Sequence, residues 1–500
     1  MSENGQTEDR GEARKEVVTL DHDACYRALV AHDARFDGAF FVGVKTTGVY
    51  CRPVCRARTP RRDRCEFFPR AALAERAGFR ACFRCRPERA PGHSSVDAVS
   101  QLVAAAARKI DEGALNDGSV EQLAGSLGVG ARHLRRAMQD ELGVGPIELA
   151  LSKRVALARE LLLGTSLPIA EIAFASGFAS VRRFNDAYRA HQQMTPSEVR
   201  RPSTSRSSST DALRVVLDVR PPFDPTSAFS FLRARAVAGV EAFSGDTYRR
   251  ATALNGKTGT IAITPAKGRD AIVVEVSSSL APSLMSIAAR VRRLFDSDAD
   301  PTLISAHLSR DPVLKKRVQA RPALRVMGAF DPFEWAVRAV LGQQVSVRAA
   351  LTIAGRLVAK LGVPLEGEGE PVFTWPDAGR LADASEETIA SIGLTRARAR
   401  TVRGIARAVA DATVVLDRRS DQTTTREALL SLSGIGPWTA QYIEMRALGW
   451  PDAFPAGDLG LRKALGGISA AECEARSAAW RPWRAYAAAH LWMGLAEEIG

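Results

Sequence analysis

Six of the seven cysteines fall within the first 85 residues, at positions 25, 51, 55, 65, 82 and 85, and only Cys473 lies beyond. Four of them make two close pairs, Cys51-x3-Cys55 and Cys82-x2-Cys85, with 26 residues between the pairs. Each pair can span one edge of a tetrahedron, and four thiolates at about 2.3 Å from one ion make a closed zinc site. A disulfide scaffold would belong to a short secreted chain. This chain has 500 residues, and its start, Met1 to Lys15, is polar and lacks the apolar core of a secretory signal. Spacing alone leaves two uses open for the pairs, a purely structural zinc knuckle and a reactive one. Cys25 sits in an apolar helical run with Tyr26, Leu29 and Val30 and reads as core. Cys65 stands beside Arg64 and Glu66 without a close partner, so it can compete only as a lone ligand.

The charge balance points to a polyanion. Sixty-nine Lys+Arg against 56 Asp+Glu leave a net +13, which suits nucleic acid or an anionic surface. Between Tyr50 and Arg89 there are 12 arginines against 4 acidic residues, a local +8 around the paired thiols. No apolar run reaches the ~20 residues needed to cross a bilayer, so a cytoplasmic protein with no membrane partner is expected.

The organisation changes four times along the chain. Residues 20–90 are rich in Cys, Arg and aromatics and predict a small zinc α/β domain. Residues 93–200 read as short helices, and 201–211 as a polar linker too poor in apolar residues to pack a core. Residues 212–300 open with strand alternation, as in Leu213-Arg214-Val215-Val216-Leu217 and Thr260-Ile261-Ala262-Ile263. From 301 to 500 amphipathic helices punctuated by Gly and Pro return. The expected fold class is multidomain and mainly α.

The residues around the thiols carry a resemblance. Val44-Lys45-Thr46-Thr47-Gly48-Val49-Tyr50-Cys51-Arg52-Pro53-Val54-Cys55, with Ala77-Gly78-Phe79-Arg80-Ala81-Cys82-Phe83-Arg84-Cys85, resembles the amino-terminal domain of the Ada alkylation-response proteins. The resemblance implies one Zn2+ per chain on Cys51, Cys55, Cys82 and Cys85. It implies that Cys51 accepts a methyl group from a methylphosphotriester in DNA, and that Thr47, Arg58 and Arg80 contact DNA. Zinc on four thiolates carries a formal −2, and methylating one leaves −1. Repair would therefore weaken repulsion of the DNA backbone and act as a switch.

Two helix-turn-helix patterns follow about fifty residues apart. Ser119-Val120-Glu121-Gln122 is a capping box opening a helix through Leu127. Gly128 then turns the chain into Ala131-Arg132-His133-Leu134-Arg135-Arg136. The second copy runs from Ile169 through Gly177 to Ser180-Val181-Arg182-Arg183-Phe184. In series, and closed by Met194-Thr195-Pro196-Ser197-Glu198, they resemble the AraC family of regulators. That implies helices 131–141 and 181–190 in adjacent major grooves, Arg132, Arg135, Arg182 and Arg183 as DNA contacts, and RNA polymerase as a further partner.

Leu432-Ser433-Gly434-Ile435-Gly436-Pro437-Trp438 is a tight Gly-x-Gly hairpin, whose backbone amides at Gly434 and Gly436 can approach a phosphate whatever the base sequence. With Phe454-Pro455-Ala456-Gly457-Asp458 beyond it, and Phe333-Glu334-Trp335 through Gln343-Gln344-Val345-Ser346 before it, residues 212–500 resemble the AlkA-type branch of the helix-hairpin-helix DNA glycosylases. The resemblance makes Asp458 the catalytic carboxylate, stabilising positive charge on the sugar or activating water. Trp438, Tyr442 and Trp492 match the aromatic base pocket, Phe231 matches it more weakly, and Gln343 and Gln344 match the loop that fills the gap left by a flipped base. Trp438 stands where glycosylases with an added lyase step carry Lys, so base excision without strand cleavage is expected.

Two positions depart from the family: Gln344 replaces an apolar wedge, and Leu459 an aromatic residue. No Pro-Cys-His-Arg motif for guanine O6 repair is present, and Cys473 does not supply one. The combined expectation is a monomeric chain on alkylated and promoter double-stranded DNA. It would join a phosphotriester sensor, a transcription regulator and a DNA-3-methyladenine glycosylase. Competing readings are a regulator whose carboxyl-terminal half binds DNA without catalysis, and an oxidised-purine glycosylase of the same fold.

Overall fold

The computed structural model describes residues 20–90, 101–165, 167–200, 212–365, 369, 371–417 and 422–499. The expected linker 201–211 and the polar start lie outside the described residues.

In the first unit, α1 (His22–Val30) is capped by Asp21, which accepts from the N–H groups of Asp23 and Ala24. Strands β1 (Phe41–Val44), β2 (Val49–Cys51) and β3 (Cys65–Phe68), helix α2 (Ala71–Arg76) and strand β4 (Arg80–Ala81) complete it, in sheet order β3-β1-β2-β4. The β2–β4 pair is parallel, so the end of β2 at Cys51 lies beside Cys82, whose N–H donates to the Tyr50 carbonyl at 3.0 Å. Cys25 and Cys65 are buried with Phe40, Val42 and Phe67. The Cys65 thiol donates to the Arg61 carbonyl at 3.3 Å and does not join the four paired cysteines.

The second unit comprises α3 (Gln101–Asp111), α4 (Val120–Gly125), α5 (Ala131–Leu142), α6 (Pro146–Gly164), α7 (Ile169–Ala175), α8 (Val181–Gln192) and α9 (Pro196–Val199). The Ser119 capping box is formed. α4 ends at Gly125, two residues before the expected Leu127, because the chain turns early and the Val129 N–H closes on the Ala124 carbonyl. α5 and α8 repeat one burial pattern at an offset of fifty: Leu134 and Phe184, Met138 and Tyr188, and Leu142 and Gln192 face inward. Arg132 and Arg182 face out.

The third unit is a five-stranded antiparallel sheet, β5 (Ala212–Asp218), β6 (Glu241–Ser244), β7 (Thr247–Leu254), β8 (Lys257–Pro265) and β9 (Ala271–Ser277), in order β5-β9-β8-β7-β6. Its register aligns Val215, Val274, Ile263 and Tyr248 in one row across the sheet. These residues are buried with α10 (Pro225–Arg233) and α11 (Leu284–Leu294). The fourth unit is helical apart from a two-residue ladder, Val363–Pro364 with Phe373–Thr374, too short to leave a period in the sequence. Between the third and fourth units, buried Glu241 and Glu334 pair with buried Arg250 and with half-buried Arg338.

One core crosses the expected boundaries. Val155, Leu161, Ile172, Phe184 and Val199 of the second unit share it with Val215, Ile263 and Val291 of the third. Glu160 on α6 is buried at the junction. Its carboxylate accepts from Arg89 (2.7 Å to each oxygen), from Arg86, and from the Val216 N–H on β5. Arg52 makes a second tie, joining Asp37 to Asp218 on β5. Glu160→Ala strands the Arg89 guanidinium without its carboxylate, so a loss of about 3 kcal/mol is expected, measured as a lowered melting midpoint by circular dichroism.

Candidate functional site

The four sulfurs of Cys51, Cys55, Cys82 and Cys85 lie within 4.8 Å of one another. A tetrahedron with ~2.3 Å metal–sulfur bonds has edges near 3.8 Å, so the set fits one zinc ion. Contact with Cys55 and the other two sulfurs, and then burial, push the Cys51 thiol up. Holding all four as thiolates therefore requires a cation among them. Zinc is the cofactor of this domain.

The sulfurs are not equivalent. Cys85 accepts the Arg52 N–H at 3.4 Å and Cys82 the Arg84 N–H at 3.4 Å, while the Ala57 N–H bonds Cys55. Cys51 accepts no backbone N–H among the described residues. A hydrogen bond accepted by a thiolate lowers its nucleophilicity, so the backbone N–H groups weaken Cys55, Cys82 and Cys85 and not Cys51. Exposure runs the other way: Cys51 is 9% exposed, whereas Cys82 and Cys85 are partly open.

The arginines around the thiols are not one set. Arg52, Arg86 and Arg89 are held in ion pairs to Asp37, Asp218, Glu88 and Glu160, so they are structural. Arg56, Arg58, Arg61 and Arg84 are exposed, and no carboxylate pairs with them among the described residues. Thr47 is exposed, and Arg80 lies over the Phe83 ring. In the helix-turn-helix unit Arg132, Arg182 and Arg183 are exposed, while Arg135 bonds Glu121 at 2.7 Å and must leave that surface pair to reach DNA.

A cleft of about 670 Å³ lies between the third and fourth units. Helix Pro437–Arg446 presents Trp438 and Tyr442 four residues apart, with rings stacked at 5.3 Å and 7°. Trp492, from helix Arg484–Ile499, meets Tyr442 edge-on at 6.4 Å. Asp458 caps helix Leu459–Ala464 and lines the same cleft. Its Oδ1 accepts from the Leu461 N–H (3.0 Å) and Trp492 Nε1 (2.9 Å), and its Oδ2 from Trp438 Nε1 (3.1 Å). Capping and cleft-facing are thus one role: the helix terminus and two indoles hold the carboxylate still beside the rings. Phe231 also lines the cleft.

Gln343 and Gln344 do not line it. Gln343 Nε2 donates to the Gly434 carbonyl and to Thr439 Oγ1, each at 2.9 Å, so it braces the hairpin. Gln344 is exposed at φ 55° on the tip of the loop between helices Pro332–Leu341 and Val347–Leu361. Its neighbour Val345, which the sequence reading passed over, is exposed and does line the cleft.

The hairpin itself joins helices Gln422–Leu430 and Pro437–Arg446, with Gly434 and Gly436 exposed. Gly434 has φ +86°, and a Cβ there would collide with Thr401 Oγ1. Gly434→Ala must displace this turn. Duplex binding is expected to weaken about tenfold, roughly 1.4 kcal/mol, in a titration against labelled duplex.

Comparison with known proteins bears on the whole chain. It matches a Mycobacterium tuberculosis protein named "Probable bifunctional transcriptional activator/DNA repair enzyme AlkA" at 42% identity, covering 96% of this chain and 97% of that one. The chain belongs to this activator/repair family. Four family models divide it: the metal binding domain of Ada (24–88), a helix-turn-helix domain (123–202), the AlkA N-terminal domain (214–331) and the HhH-GPD superfamily of base excision DNA repair proteins (337–484). The carboxyl-terminal half is 31% identical to DNA-3-methyladenine glycosylase 2 of Escherichia coli, covering 55% of this chain and 95% of that protein. A solved 3-methyladenine DNA-glycosylase from Archaeoglobus fulgidus shares the fold at TM-score 0.50 and 20% identity, covering 56% of this chain and 98% of that one. As a member of the activator/repair family the chain is a DNA-binding protein of repair and regulation with a glycosylase domain. No helix among the described residues is long and apolar enough to cross a membrane.

Proposed function

We propose that the protein excises alkylated bases, 3-methyladenine above all, by hydrolysis at the Trp438–Tyr442–Trp492 cleft. It also records phosphate methylation at Cys51 and uses that record to regulate transcription. The observation that carries the excision reading is the Asp458 carboxylate fixed by two indole N–H groups at the edge of an aromatic cleft. A flipped base lies against the rings, whose faces attract the positive charge of an N-alkylated purine. As the glycosidic bond breaks, the bonding electrons leave with the base and positive charge grows on the sugar, where Asp458 opposes it. No lysine lines the cleft among the described residues, which supports a strand left intact after excision.

At the amino terminus the Cys51 sulfur attacks the methyl carbon of a phosphotriester. A sulfur–carbon bond forms, the carbon–oxygen bond breaks, and the phosphodiester departs with its negative charge restored. Bound zinc keeps the sulfur deprotonated at neutral pH. The thioether product has no route back, so one chain repairs one lesion. The loss of one negative charge next to exposed Arg56, Arg58 and Arg84 favours DNA binding. Two recognition helices in one chain, α5 and α8, let a monomer read promoter DNA with RNA polymerase as its partner.

Incubation with methylated duplex tests both halves. Free 3-methyladenine should appear with the strand uncut until alkali is added, and protein mass should rise by one methyl group. Neither product, from folded protein, overturns the proposal.

A further inference from the structure

The zinc domain touches both recognition helices, and it touches them at matching places. α5 is capped by Gly143 and α8 by Gln193, the same position of the repeat at an offset of fifty, and both caps are left-handed, at φ 72° and 54°. Arg76, at the end of α2, donates from Nη1 to the Gly143 carbonyl at 2.6 Å. Leu73 packs so closely there that a Cβ at Gly143 would come within 3.2 Å of it. Two residues beyond Arg76, the Gly78 carbonyl accepts from Gln193 Nε2 at 2.7 Å. Residues 73–78 thus hold the carboxyl-terminal end of each recognition helix.

A third tie runs deeper. Glu75, whose side chain is 2% exposed, stands 3.3 Å from Nδ1 of His191 in the last turn of α8. Its other oxygen accepts the Tyr50 O–H at 2.9 Å. Tyr50 precedes Cys51 on β2, so one carboxylate links the strand of the sulfur cluster to a recognition helix. Apart from these ties the two helix-turn-helix copies are joined through α6, and α5 enters α6 through Gly143-Val144-Gly145. A glycine on either side adds little stiffness to that joint. The held ends lie about 16 Å from Arg132 and Arg182, at the other end of the 12-residue helices, so the clamp and a major groove can be engaged together.

We infer that the zinc domain is a crosspiece that fixes α5 and α8 relative to each other. Arg76, Gln193 and His191 are then positioning residues for promoter recognition, acting through the helices that carry Arg132 and Arg182. Two helices held in one frame read two half-sites at one separation and one rotational phase. Each base pair added between the half-sites turns the second groove away from its helix by about 34°. The chain therefore discriminates duplexes by spacing as well as by sequence. The inference rests on α5 and α8 reading DNA side by side.

The probe is a duplex enriched by the full wild-type chain from a random-sequence library, paired with a copy carrying two extra base pairs between the footprinted half-sites. Wild-type protein should bind the lengthened copy about tenfold more weakly. Arg76→Met combined with Gln193→Gly removes two exposed hydrogen bonds, and glycine suits the left-handed φ at 193. This double variant should lose about fivefold on the parent duplex and cut the penalty for the insertion to about threefold. A folding defect would weaken both duplexes in parallel and leave their ratio intact. Should the double variant melt early, His191→Ala supplies the same ratio. An unchanged ratio in folded variants overturns the inference, as does wild-type protein indifferent to the insertion. No enriched duplex, or a footprint over a single groove, would instead sink the reading of α5 and α8 as paired recognition helices.

Discussion

Asp458→Asn is expected to slow 3-methyladenine release by about 10²–10³-fold, with duplex binding unchanged. The substitution is nearly isosteric. An amide oxygen can still accept from the Leu461 N–H and from Trp492 Nε1, so the helix cap and the Trp492 ring stay in place. What disappears is the negative charge, and with it the opposition to positive charge on the sugar. The amide NH2 also meets Trp438 Nε1, donor against donor, where Oδ2 now accepts at 3.1 Å. Single-turnover release from a methylated duplex measures the loss, and a titration on the same duplex separates chemistry from binding. If the Asn variant releases base at the wild-type rate, Asp458 is only a helix cap, and the carboxyl-terminal half is a DNA-binding platform.

The glycosylase variant and the sensor rest on features of different visibility in the sequence. The cysteine quartet was legible because each pair is local and only two strands need to meet. The parallel β2–β4 pair brings the halves together. Asp458 and the cage residues were legible through resemblance, since Trp438 and Trp492 lie 54 residues apart and no local period links them. Other features arise only in three dimensions. The 12 arginines near the thiols read as one DNA-facing group, yet Arg52, Arg86 and Arg89 are held by acids as distant as Asp218 and Glu160. Gln343 is expected at a base through the family resemblance, and its amide turns to the hairpin carbonyl of Gly434. The polar segment at 201–211 reads as a linker between the second and third units. The shared core of Ile172, Phe184, Val215 and Val291 shows them packed as neighbours.

Cys51→Ser is expected to abolish methyl transfer from phosphotriester DNA, leaving protein mass unchanged where the wild type gains about 14 Da per chain. The comparison that decides the mechanism is with Cys85→Ser, because the two sulfurs differ in one respect that matters. Cys85 accepts the Arg52 N–H, whereas Cys51 accepts no backbone N–H among the described residues. Access alone would favour the partly open Cys82 and Cys85 over the 9%-exposed Cys51. Peptide mapping of methylated wild-type protein therefore sets nucleophilicity against exposure. A methyl group on the Cys51 peptide means that hydrogen bonding ranks the sulfurs, and one on Cys82 or Cys85 means that access does. Each Ser variant weakens metal affinity by replacing a thiolate with a poorer ligand. Zinc content is measured alongside, and a Cys51→Ser protein that keeps its zinc yet takes no methyl group isolates the nucleophile from the fold. Chelation of the wild type should act more broadly. Without the cation the four sulfurs cannot all stay ionised within 4.8 Å, so the domain loses the anchor of β2 against β4 along with its reactivity. Glycosylase turnover, which depends on Asp458 in a separate unit, is expected to survive that treatment, and its survival would show that the two devices work independently within one chain.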